Sequence, residues 1–236
     1  MTFSIVARCN QSGMLGMGIA SAIPAVGALC CFGSTSGIVA TQSWVNPYIG
    51  IDGVAQLIAG GDAQSVLSST LARDPRPEMR QVGIVDSNGV AAAFTGAKCT
   101  GWAGHRSGVG YTVQGNMLVG EVTLEALESS FVESAGLPLD ERLVLALEHG
   151  EAAGGDKRGR QSACLLVYDE EDYAYVDLRV DDSPDPIVEL RRIWSLATRQ
   201  LLPFVKTLPK RSNPGGEDVR AVIENLMRSP AQRSSG

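Results

Sequence analysis

The sequence predicts an α+β fold of antiparallel sheets covered by helices, and three observations predict it. Apolar segments run in the order strands, helices, strands, helices, strands, helix. Hairpins and short turns, rather than long crossovers, join the strands, which is the connection that antiparallel pairing allows. Two helical pairs and two sets of strands, the strands apolar on both faces, are satisfied by stacked layers with helices outside.

Element by element, residues 3–8 open as a strand, turn at Asn10-Gln11-Ser12-Gly13 and return over residues 14–22. Gly16, Gly18, Ala20 and Ser21 on the return suit a strand against which something packs closely. Residues 28–32 and 36–45 supply two more strands. The period then changes: residues 53–59 and 62–73 read as helices, the second capped by Asp62 with Val66, Leu67, Thr70 and Leu71 on one face. Pro75 and Pro77 end it. Residues 81–85 and 90–95 form a hairpin, because Asn88-Gly89 supplies the positive φ angles of a tight turn. Trp102-Ala103-Gly104-His105 falls in a glycine-rich loop, and residues 109–113 read as a strand ending in Gln114-Gly115-Asn116. Helices over 123–135 and 139–152, a hairpin over 162–168 and 173–180, and a long amphipathic helix over 186–205 follow. Residues 1–208 are expected to form one domain; residues 209–236 are expected to be a linker, a short helix over 217–227 and a flexible tail.

Composition narrows the function classes. Hydrophobic residues make up 44% of the 236 and charged residues 19%, so the chain buries a substantial core. Twenty Lys and Arg against 26 Asp and Glu give a net charge of −6. An acidic chain with no long basic run is a poor partner for nucleic acid or an anionic membrane. No stretch of about 20 continuous apolar residues offers a membrane span, and the first eight residues lack a signal peptide's basic start and apolar run. A cytoplasmic location is expected. The five cysteines are odd in number, without a CxxC, and there are two histidines, so neither metal nor cofactor is implied. Cys30 and Cys31 read as core, and Gly13, Gly16 and Gly18 do not open a helix, so they are no phosphate cradle.

Thr2 is the sharpest chemical candidate. With Met1 removed, its hydroxyl stands beside a free α-amine whose pKa is about 7.7 to 8.0, and one residue becomes both nucleophile and base. Gln114 and Asn116, at alternate positions, share a strand face and could aim amide hydrogens at a developing oxyanion. His105 is a titratable group suited to moving a proton. Arg160 and Gln161 adjoin the apolar run that follows them and are expected to face inward, with Arg160 holding a substrate anion. Asp177, Arg179 and Asp181 share one strand face as a charge ladder.

Several segments together resemble the family known as domain of unknown function 1028. They are Thr2-Phe3-Ser4-Ile5-Val6-Ala7-Arg8, Val39-Ala40-Thr41-Gln42, Arg80-Gln81-Val82-Gly83, Trp102-Ala103-Gly104-His105, Gln114-Gly115-Asn116-Met117-Leu118, Gly159-Arg160-Gln161-Ser162-Ala163 and residues 176–182. The resemblance implies an N-terminal-nucleophile hydrolase fold, a four-layer αββα sandwich. Phe94 stands where that family often has a His before Thr-Gly, and Ser183 where a His often precedes Pro. Proteasome-like members of the fold carry an acidic residue after the second strand and a Lys on the third. Here Ser21, Thr41 and Gln42 stand in those regions and would support a substrate by hydrogen bonding alone. The function expected is a small-amide or ureide hydrolase. The alternative is a catalytically silent module that binds a metabolite or mediates assembly. Trp194, Leu201, Leu202 and Phe204 give the last long helix apolar surface beyond one face, and a homodimer is expected.

Overall fold

The first strand, β1 (Thr2–Arg8), is apolar and β-branched enough to be buried along its length, and it returns through a tight turn as β2 (Leu15–Ser21). A computed structural model describes residues 2–220, 223–224 and 227–228. After β2 come α1 (Val26–Cys30), β3 (Cys31–Ser34), β4 (Gly37–Ser43), α2 (Pro47–Ile58), α3 (Ala63–Arg73), β5 (Arg80–Asp86), β6 (Ala91–Thr95), β7 (Trp102–Gly108), β8 (Tyr111–Leu118), α4 (Val122–Glu133), α5 (Leu139–Ala152), β9 (Ser162–Tyr168), β10 (Val176–Val180), α6 (Pro186–Gln200) and α7 (Leu202–Val205). The chain divides into two compact units, one ending at Leu190 and the other beginning at Arg191.

Within the first unit the strands form two antiparallel sheets, a six-stranded one in the order β10-β9-β2-β1-β8-β7 and a four-stranded one in the order β3-β4-β5-β6. Strand alternation sends Val6, Leu15, Met17 and Ile19 of the larger sheet and Ile38, Ala40 and Val85 of the smaller one into a shared apolar cluster. The opposite faces carry helices. On the smaller sheet, Val39, Val82 and Ile84 pack with Ile49, Leu57, Val66 and Leu67 of α2 and α3. On the larger sheet the small residues of β2 let α5 approach: a Cβ at Gly16 would stand 2.9 Å from Leu143 Cδ1, and one at Gly18 3.1 Å from Leu147 Cδ1. Side chains buried this fully contribute about 1.5 to 3 kcal/mol each.

The α+β class with antiparallel sheets agrees with the sequence reading, as do α3 with its Asp62 cap, the β5–β6 hairpin with Gly89 at φ 82°, and α5. Other elements differ. Residues 28–32 do not form one strand: α1 ends at Cys30 and β3 starts at Cys31. α2 begins six residues earlier than the apolar period suggests, with the Asn46 side chain accepting from Tyr48 N and Pro47 in the first turn. Gly50, which lowers helix propensity, is there because the Phe32 ring occupies the space of its Cβ. The expected 186–205 helix stops at Gln200, since Pro203 has no N–H to continue it, and restarts as α7. Parts of the expected 217–227 helix and the whole 229–236 tail lie outside the described residues.

Candidate active site

Between the two sheets, at the end where β1 begins, the apolar cluster gives way to polar side chains. Alternation along β1 puts Thr2 and Ser4 on the inter-sheet face; along β4 it does the same for Gln42, along β5 for Gln81, and along β8 for Thr112, Gln114 and Asn116. Thr2 is 4% exposed, and the others named are 0 to 1% exposed. Burying this many polar groups is tolerable only if they bond one another.

They do. Ser4 Oγ donates to Gln42 Oε1 at 2.8 Å, and Gln114 Nε2 donates to Ser4 Oγ at 2.6 Å and Ser4 O at 3.3 Å. Gln42 Nε2 donates to Gln81 Oε1 at 2.9 Å, an oxygen that also accepts from Asn116 Nδ2 at 2.9 Å. Gln81 Nε2 lies within 3.0 Å of Thr95 Oγ1, Gly104 O and Gly115 O. Thr112 Oγ1 donates to Gln114 Oε1 at 3.0 Å. Gly83 makes room for this lattice: a Cβ there would fall 2.2 Å from Gln114 Oε1. The two strand residues of left-handed φ, Ser43 (70°) and Met117 (53°), each directly follow a network amide. Such backbone costs about 1 to 3 kcal/mol per residue and persists where the surroundings hold it.

Thr2 lies at one end of this lattice. Its Oγ1 shares a hydrogen bond of 3.1 Å with Ser21 Oγ, and its register partners are Ser21 on β2 and Asn116 on β8. Register partners have Cβ atoms about 4.5 to 5.5 Å apart, so a hydroxyl and an amide with two hydrogens stand side by side. At the other end His105 Nδ1 and Thr95 Oγ1 share a bond of 2.9 Å. His105 sits on the edge strand β7, and burial of part of its ring holds the imidazole below the ordinary histidine pKa.

The structure therefore brings together Thr2, Ser21, Gln42, Gln114, Asn116 and, at the rim, His105. Three expectations need correction. Trp102-Ala103-Gly104-His105 is strand, not loop, because pairing with β8 overrides its glycines. Thr41 is one residue from Gln42 and so faces the other way: its Oγ1 donates to Asn46 O at 3.3 Å, beside α2 and away from the lattice. Arg160 is not turned inward; its side chain is 48% exposed and its guanidinium pairs with Glu151 at 3.3 Å and Asp185 at 3.1 Å. Gln161 does reach the site's edge, through its N–H to Ser21 O at 2.9 Å, while its side chain donates to Asp182. Phe94 packs on the helix side of its sheet, so that position does not face the lattice. Ser4, Gln81, Thr95 and Thr112, all of which join the lattice, are not singled out by the sequence reading. A single glutamine inside each apolar strand, as in residues 38–42 and 80–86, was the available signal.

The chain matches a family model described as "Family of unknown function (DUF1028)" over residues 2–190. It belongs to the DUF1028 family. The match ends at the residue that closes the first compact unit. Among solved structures the DUF1028 chain is similar to the crystal structure of protein SPO2555 from Silicibacter pomeroyi, assigned to DUF1028, at 28% identity and a TM-score of 0.84, covering 91% of this chain and 98% of that one. No curated protein matches. Every lattice residue falls inside the DUF1028 match.

Proposed function

We propose that this DUF1028 chain is an amidohydrolase of the N-terminal-nucleophile type, acting on a small amide or ureide. The observation that carries the reading is Thr2: a buried hydroxyl at the start of β1, bonded to Ser21 and in register with Asn116. The order of layers supports it, with α5 outside the larger sheet and α2 and α3 outside the smaller, as in a four-layer αββα sandwich. The partner of Thr2 Oγ1 is a hydroxyl and not a base, so the base is the Thr2 α-amine once Met1 is removed. Thr2 Oγ1 bonds to the substrate carbonyl carbon as its proton passes to the α-amine. The Asn116 amide steadies the oxyanion, a contribution of about 3 to 4 kcal/mol. The C–N bond then breaks, the leaving nitrogen takes the proton from the ammonium, and water hydrolyses the resulting ester. Gln114 is assigned a positioning role, because its amide is committed to Ser4. Arg160 would meet a substrate anion only by exchanging it for Glu151 or Asp185. The reading includes a cytoplasmic homodimer acting on a free small molecule, without cofactor.

One observation favours a second reading. The amides of Gln42, Gln81 and Gln114 are all engaged internally, as befits a module that binds a metabolite or assembles without catalysis. Intact-mass spectrometry before and after a β-lactone acylating agent decides between them. Loss of Met1 with one adduct on Thr2, absent in Thr2→Ala, supports the hydrolase. A chain that keeps Met1 and takes no adduct supports the module.

A further inference from the structure

At the far end of β1, six residues and about 20 Å from Thr2, a cavity of about 370 Å³ opens between the β1–β2 turn, the β7–β8 turn and helices α4 and α5. Its walls are Tyr111, Phe131, Val132 and Ala135, and its polar groups come from Arg8, Cys9, Asn10 and Arg142. No Asp or Glu is among the described residues lining it. In a chain of net charge −6, a two-arginine cavity without a carboxylate is a local inversion of sign.

Arg142 is 7% exposed. Its Nε and one terminal nitrogen donate to Phe131 O at 3.3 and 2.9 Å, and its guanidinium carbon lies 3.8 Å from the centroid of the Phe131 ring. Among the described residues it has no carboxylate partner. The Cys9 thiol is a further side-chain partner, and a carbonyl, a ring face and a thiol are a thin environment for a buried cation, which ordinarily takes a full anion. Arg8 Nε, at the same end, is buried with no hydrogen-bond partner. Glu128 does not fill the gap, since it is taken by Arg106 and the Tyr111 hydroxyl. Burial pushes the Cys9 thiol up, but hydrogen bonds from Ser12 and Gln11, with a smaller contribution from the charge of Arg142, bring it below the usual value. At the mouth, Val109 is 85% and Val132 50% exposed, apolar surface that an occupant would cover.

We infer that this cavity binds a small organic anion, a carboxylate or phosphate monoester carrying a compact apolar or aromatic group, with Arg142 as its counter-ion and Phe131, Val132 and Val109 around its body. The site is separate from Thr2 and does not depend on the hydrolase reading.

The test follows thermal unfolding of the full chain against benzoate, phenyl phosphate and the uncharged isostere benzamide, since a ligand of the native state raises the midpoint with its concentration. Benzoate or phenyl phosphate should raise the midpoint and benzamide should not; the stronger of the two identifies the head group. Arg142→Lys, which keeps the charge but loses the fork, should need about tenfold more anion for the same shift. Should that variant fail to fold, Val132→Glu, at a half-exposed position, must abolish the response by placing a carboxylate at the mouth. Thr2→Ala should respond as the parent does, which separates failure here from failure of the hydrolase reading. An equal response to benzamide, no response to either anion, or a full response in Val132→Glu would overturn the inference.

Discussion

At the scale of single residues, the molecule depends on amides held where water cannot reach. Gln81 is the hinge of the inter-sheet lattice, accepting from Gln42 and Asn116 and donating to Gly115 O. Gln81→Leu leaves those partners unsatisfied at about 1 to 3 kcal/mol each, and urea unfolding should record a loss of about 3 kcal/mol or more. Gly83→Ala acts by collision, since the new Cβ falls on Gln114 Oε1. It should cost about 1 to 3 kcal/mol and release the Gln114–Ser4 bond, visible as faster exchange of the Gln114 side-chain amide by NMR. Part of this lattice was legible beforehand: Thr2 as a candidate nucleophile, and Gln114 and Asn116 by their spacing of two. Ser4 and Gln81 were not, because a lone polar residue in an apolar strand has meaning only once the facing strand is known. Thr41 shows the converse. It adjoins a lattice residue in sequence and points to the opposite side of the sheet.

Elements explain which sequence signals were reliable. A capped helix or an Asn-Gly hairpin is a local decision, so α3 and β5–β6 were readable. β7 was not: its glycines argue for loop, and its seven residues are strand only because β8 lies alongside. The segment after α3 shows a local cluster with a measurable signature. Asp74 receives Arg80 Nε and a terminal nitrogen at 2.8 and 3.1 Å, Asn46 Nδ2 at 2.7 Å and Arg76 N at 2.8 Å, tying the end of α3 to the start of β5. Burial pushes the carboxyl up, but these donors outweigh it and bring the pKa down to about 2. A carboxyl with a folded-state pKa below its unfolded one stabilises the fold above the unfolded value and loses that contribution as pH falls through the folded one. Stability should therefore decline by about 2 kcal/mol between roughly pH 4 and pH 2 on this account. Asp74→Asn should flatten that part of the acid-denaturation profile. Arg80→Met should cost about 3 to 5 kcal/mol at neutral pH, because it strands a buried carboxylate.

For the whole molecule, the family match and the first compact unit end together at Leu190, inside α6. We propose that residues 1–208 nonetheless unfold as one domain, so that a chain stopped after Leu208 should unfold cooperatively within about 2 °C of the full chain by circular dichroism; a broad or much lower transition would place the boundary at Leu190 instead. The class of the fold was readable because it rests on the order of apolar segments. The residues that meet across the two sheets were not, because they are set by contacts between strands far apart in sequence, such as Ser4 with Gln42 and Asn116 with Gln81. β1 is paired on both sides along nearly its whole length, and this makes it a ruler. Its flanking strands fix the distance from its first residue to the turn that follows Arg8. A residue inserted between Ser4 and Val6 must either turn Thr2 and Ser4 to the helix side or push Arg8 into the turn, whereas one inserted between Gln11 and Gly13 lengthens a surface loop. The placing of Thr2 is thus a matter of counting: the protein can vary the far turn freely, but it cannot change the number of residues between that turn and Thr2 without turning Thr2 away from Ser21 and Asn116.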